Sequence, residues 1–137
     1  MNYLSKIVFF SILLFASTAN ASNESFVGIV GAAIGDIKNQ KNEKLANGSK
    51  IFFGDTIISN TESNAQILFL DQSVLTLGEE TELIIDEFVY DPNSQDGSFV
   101  STVKTGTVKF ITGQISKKNP DNLEVKVPAG TLGARGT

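Results

Sequence analysis

One arginine stands among glycines in Gly130-Thr131-Leu132-Gly133-Ala134-Arg135-Gly136-Thr137, the first stretch whose residue types could do chemistry. A loop that cradles phosphate needs a following helix whose amides meet the anion, with a lysine and a hydroxyl in register. No such residues follow, so Gly130, Gly133 and Gly136 read instead as places where a strand bends or a neighbouring backbone comes close. Arg135, the sole arginine, offers five N–H donors in a planar fork. With Thr137 beside it, it reads as a structural clasp onto carboxylates or carbonyls. A second candidate is the acidic run Glu79, Glu80, Glu82, Asp86 and Glu87. Paired carboxylates cleave glycosides when a cleft holds them about 5 to 9 Å apart, but there is no tryptophan to stack a sugar. The run therefore reads as a solvated acidic edge that discourages strand-to-strand aggregation. A third is Asp91-Pro92-Asn93-Ser94-Gln95-Asp96-Gly97. A calcium loop of the helix-loop-helix kind wants glycine at its sixth position and glutamate at its twelfth. Asp96 and Thr102 stand there, so a polar turn is expected.

Absences narrow the chemistry further. The chain has no histidine and no cysteine, which removes the commonest general base, thiol nucleophiles and the usual zinc and heme ligands. No serine sits in a nucleophile elbow, and without histidine there is no triad. The sequence thus predicts no catalytic residue, no metal site and no cofactor. Eleven basic residues against fifteen acidic ones give a net charge of −4. With no basic cluster, phosphate contacts and hence nucleic-acid binding are not expected.

The elements that must carry these residues begin after a leader. Lys6 precedes the uncharged run Ile7 to Ala16, and Ala19-Asn20-Ala21 supplies a small-x-small processing site. This order marks residues 1–21 as a cleavable signal peptide. Spanning a bilayer takes about 20 apolar residues, so no stable membrane span is expected there. Residues 22–137 then form one exported domain, periplasmic or secreted, that folds by hydrophobic burial without disulfides.

Along that domain, short apolar runs alternate with turn residues, and no 3.6-residue periodicity stands out. The runs 25–35, 65–70, 73–78, 82–90 and 99–115 read as strands. Asn47-Gly48 reads as a tight turn, and Lys50 to Ser59 as two very short strands joined at Gly54-Asp55. Asp71-Gln72 reads as a two-residue hairpin connection. Leu123, Val125 and Val127 alternate with Glu124 and Lys126, the mark of a strand with one wet face. The runs 65–70 and 82–86 look apolar on both faces and are expected to be covered on both sides. An all-β fold is predicted, a twisted β-solenoid or β-sandwich-like wrap of many short strands, with helix confined to the leader.

The pieces Gly-Asp-Thr-Ile-Ile-Ser (54–59), Ser-Asn-Ala-Gln-Ile-Leu-Phe-Leu-Asp-Gln-Ser-Val-Leu-Thr-Leu-Gly (63–78), Val-Lys-Thr-Gly-Thr-Val-Lys-Phe (103–110) and the closing Gly-Ala-Arg-Gly-Thr follow one another in a specific order. In that order they resemble the FecR domain family, from about Gly48 to the end. Gln72 departs from the pattern, standing where the family's hairpin has glycine. Ala134 also departs, standing where a bulkier β-former precedes the arginine. The resemblance implies a periplasmic β-domain of the kind that relays an iron-siderophore signal from an outer-membrane receptor towards a cytoplasmic sigma factor. Those regulators carry a cytoplasmic segment and a transmembrane helix, whereas this sequence opens on a cleavable leader. The expectation is therefore narrower: a non-catalytic, exported FecR-like module that senses or binds an envelope or extracellular protein, with an edge strand as the contact surface. The alternative is the opening module of a larger secreted structural or adhesive protein. The family's arginine-glycine-threonine is normally followed by more strand, so a chain closing on Thr137 reads as truncated.

Overall fold

A computed structural model describes residues 26–133. Residues 1–21, expected to be a leader, and Arg135, Gly136 and Thr137, expected to form a clasp, lie outside the described residues. Eleven strands run in chain order: β1 (Phe26–Ile34), β2 (Ile37–Asn39), β3 (Lys50–Phe52), β4 (Thr56–Ser59), β5 (Asn64–Phe69), β6 (Val74–Leu77), β7 (Glu82–Tyr90), β8 (Gly97–Thr105), β9 (Val108–Ile111), β10 (Leu123–Val127) and β11 (Gly130–Gly133). They form two sheets, ordered β3-β1-β5-β6-β9 and β11-β10-β8-β7-β4-β2. The architecture is all-β and sandwich-like.

Alternation puts the apolar side chains between the sheets. In β5, Ala65, Ile67 and Phe69 are buried while Asn64, Gln66 and Leu68 are exposed. In β7, Leu83, Ile85 and Phe88 point inward. A bulge at Asp86 inserts one residue between Ile85 and Glu87 and so keeps Phe88 on the core face. The expectation that the runs 65–70 and 82–86 are covered on both faces is thus corrected. Each sheet packs on one side, and the outward apolar residues have no layer above them among the described residues. Between the sheets, Phe99 is fully buried and its ring meets Phe69 at 4.6 Å, Phe88 at 5.1 Å and Phe110 at 5.3 Å between centroids. Phe69 and Phe110 come from one sheet and Phe88 and Phe99 from the other, so this aromatic cluster joins the two layers.

The two short strands around Gly54-Asp55 do not form a hairpin. β3 belongs to the first sheet and β4 to the second, and the turn between them carries the chain across. Asp55 holds that corner, accepting from Phe52 N–H at 2.9 Å and from Gln40 Nε2 at 2.9 Å.

The expectation that the domain holds no helix is also corrected. Gln114–Lys118 form a short helix, α1, followed by a 3-10 turn at Pro120–Asn122. The reason is topological. β10 lies parallel to β8, pairing Leu123 with Phe99 and Val125 with Ser101, and parallel neighbours need a crossover rather than a hairpin. After β9 in the opposite sheet, the helix and the 3-10 turn supply that crossover.

Truncating Phe99 to alanine removes the ring that touches both layers, and should cost about 3–5 kcal/mol. That is a large part of the roughly 5–15 kcal/mol available to a domain. Ser101, in the same strand, is fully buried and its hydroxyl has no hydrogen-bond partner among the described residues. Ser101→Ala should therefore leave the urea midpoint unchanged or raise it, while Phe99→Ala lowers it sharply.

Candidate functional site

The residues singled out in the sequence separate in space. Gly130 ends a tight hairpin: Val127 pairs with Gly130 across Pro128-Ala129, and the glycine takes φ +152°, which L side chains rarely adopt. Gly133 closes β11 opposite Glu124. A Cβ placed on Gly133 would meet only the Leu123 carbonyl, at an ordinary 3.7 Å, so no close backbone approach occurs there.

Phe69 N–H donates to the Ser73 carbonyl at 2.9 Å, so the turn enclosed by that pair between β5 and β6 has three residues, Leu70, Asp71 and Gln72, rather than two. Gln72 N–H donates to the Phe69 carbonyl at 3.0 Å, and Gln72 itself adopts a left-handed φ of +70°. A turn followed by one left-handed residue is a common three-residue hairpin, and glycine normally fills that last position. Asp71 is buried. Its carboxylate accepts from Ser73 N–H at 3.0 Å, Ser73 Oγ–H at 2.8 Å and Ile115 N–H at 3.3 Å, and its carbonyl accepts from Gln114 N–H at 2.7 Å. The turn thereby clamps the start of α1. Gly113, just before the helix, passes so close that a Cβ would sit 2.4 Å from the Asp71 carbonyl oxygen.

The acidic run is distributed rather than convergent. Glu79 accepts from Glu62 N–H at 2.9 Å, Glu80 from Thr61 Oγ–H at 3.2 Å and Asp86 from Thr102 Oγ–H at 2.6 Å. Among the described residues, no group of three carboxylates is placed to hold a metal ion. In the 91–97 loop, Asp91 accepts from Asn93 N–H at 2.9 Å, and the cation present is Lys118, 2.7 Å from Asp96. The hydrogen bond from Lys118 holds the Asp96 carboxyl below the usual carboxylate range.

Two apolar surfaces are left open. On the outer face of the first sheet, one row of paired residues runs straight across four strands: Ile29, Leu68, Val74 and Ile111. Leu68 is 38% exposed and Ile111 53% exposed. Lys50 ends the row opposite Ile29. At the other surface both sheets stop together. Among the described residues β9 pairs only with β6 and β11 only with β10, and between them opens a cleft of about 320 Å³ lined by Val108, Phe110, Leu123, Val125 and Leu132. The sequence conceals both surfaces, because their members lie far apart along the chain. Only the pairing register makes Ile29 a neighbour of Leu68. The one local signal lies in Val108–Ile111, where Ile111 carries an apolar side chain at an outer position, on the face it shares with Lys109.

A family model described as FecR protein matches residues 55–137, more than half the chain. The chain belongs to the FecR family. Strands β4 to β11 lie within the match, whereas β1 to β3 precede it. Even so, Val27, Val30 and Ile51 of those earlier strands are buried in the shared core. No curated protein and no solved structure searched matches the chain. FecR proteins form a signalling regulator family that is generally non-enzymatic, and membership points to a role in envelope signalling. No helix among the described residues is long and apolar enough to cross a membrane.

The FecR hairpin explains one test. Restoring glycine at Gln72 relieves a left-handed residue worth about 1 kcal/mol. The exposed Gln114–Gln72 side-chain bond of 3.1 Å is worth less than that. Gln72→Gly should raise the urea midpoint, and Gln72→Val, β-branched at positive φ, should lower it.

Proposed function

We propose that this FecR chain is an exported, non-catalytic protein-binding module of envelope signalling, and that its partner is an envelope or extracellular protein. The observation that carries the reading is the outer row Ile29–Leu68–Val74–Ile111. Leu68 and Ile111 are exposed and Ile29 and Val74 half-buried, and a contiguous apolar row open to solvent on a small domain marks a place of contact. The leader-like residues 1–21 support export, and the lack of histidine and cysteine supports a role without catalysis. The second reading, the opening module of a larger secreted structural or adhesive protein, draws on β11. All four of its residues are exposed and its outer edge is unpaired among the described residues, which suits the addition of further strands.

Cells of the source organism carrying a photo-crosslinking residue at Leu68, or at the exposed Glu87 of the opposite sheet, test the first reading. The protein recovered from the envelope should begin at Ser22 by intact mass. It should crosslink to one distinct envelope protein from position 68 and not from position 87. A chain retaining Met1 in the cytoplasm would contradict export. Equal or absent crosslinking at the two positions would contradict the binding surface.

A further inference from the structure

We infer that the edge of β9 left unpaired among the described residues is a strand-docking site, and that it takes an extended segment of a partner protein bearing an acidic residue opposite Lys109 and apolar residues around it. The inference rests on the protein-binding reading above and names the mode and chemistry of that binding. β9 is the strand where both open apolar surfaces meet. Its inward residues Val108 and Phe110 line the cleft shared with Leu123, Val125 and Leu132, and its outward Ile111 ends the row through Val74, Leu68 and Ile29. A strand added to its edge extends both surfaces at once. The main-chain ladder supplies affinity, and the alternating side chains supply selectivity.

The other edges are less suited. The outer side of β2 is already occupied by its own following loop, through Leu45 N–H to the Ile37 carbonyl and the Lys38–Lys44 bridge. β3 is three residues long and begins at Lys50. β11 faces the same cleft, but it offers only Leu132 as a large apolar side chain.

Charge selects the occupant. The exposed Lys109 is the charged residue on β9 and shares the outer face with Ile111. Directly opposed residues on paired strands sit about 4.5–5.5 Å apart at Cβ. A docking strand therefore places apolar side chains opposite Val108, Phe110 and Ile111 and favours Asp or Glu opposite Lys109. Antiparallel, it reads apolar-apolar-acidic-apolar; parallel, it reads in the reverse order. A second copy of this chain fits poorly. When two β9 strands pair about a two-fold axis with inner faces aligned, Lys109 falls opposite Lys109, or opposite Ile111 two residues along. Neither register gives the lysine an acid.

A phage-displayed library of random 12-residue peptides, selected on the exported protein, supplies the probe. Enriched peptides should carry the apolar-apolar-acidic-apolar pattern in one direction. In amide chemical-shift mapping, their binding should perturb β9 and β11. N-methylation of one alternate set of peptide amides should abolish binding, while methylation of the other set changes it less than about twofold, because a docked strand uses only one edge. Lys109→Glu, exposed and outside the core, should weaken the acidic peptides about fivefold at low salt and favour basic ones. Equal tolerance of both methylation sets, shifts confined to another surface, enrichment without the acid, or a concentration-dependent dimer that excludes peptide would each overturn the inference. If no peptide is enriched while the Leu68 crosslink persists, strand docking fails and the protein-binding reading stands. Loss of the crosslinked partner removes that reading itself.

Discussion

A buried carboxylate in a hairpin turn, Asp71, sets the arrangement of the later half of the domain. Its oxygens take the amide and hydroxyl of Ser73 and the amide of Ile115, 44 residues later. An unpaired buried polar group costs about 1–3 kcal/mol, so each of these donors has a strong reason to stay. The clamp fixes where α1 begins. Ile115 then packs into the core, Lys118 reaches across to Ser94 and Asp96 of the β7–β8 loop, and the chain is delivered beside β8 in the parallel direction. Without that delivery neither β10 nor β11 has a place, and the cleft beside β9 has only one wall.

The sandwich and its open surfaces follow from the same economy of layers. Two sheets share one core, joined by the phenylalanine cluster around Phe99, and among the described residues no third layer covers the outside. Apolar residues that point outward are normal when scattered. Here the register lines them up from β1 to β9, and the row ends on the strand that also borders the cleft. The FecR family is one of signalling regulators and generally non-enzymatic, and this surface is the one that the proposed protein-binding role would use.

Much of the strand pattern is legible in the sequence, because turn residues punctuate the apolar runs and Leu123 to Val127 alternate cleanly. Whatever depends on long-range pairing is not. Nothing local tells that Gly54-Asp55 passes the chain between sheets, since a hairpin and a corner use the same residues. The five-residue helix is too short to show a period, and Lys117 to Asn122 has the composition of a turn. Leu68 and Leu70 look like core residues in a short apolar run until the register turns them outward. Asp71 looks like an ordinary turn aspartate, because its partner in α1 is invisible from nearby residues. The FecR pattern is legible through the order of its motifs. Its hairpin glycine is replaced here by Gln72, which keeps the left-handed backbone that the glycine would have served.

The most direct measurement is amide hydrogen exchange on the wild type and on Asp71→Asn, which keeps the size of the side chain but replaces one accepting oxygen with an NH2 donor. Exchange reports local opening element by element. If Asp71 holds the crossover, protection should fall in α1, β10 and β11 while β1, β5 and β7 keep theirs. Wild-type protection throughout, or an equal loss across both sheets, would contradict the account.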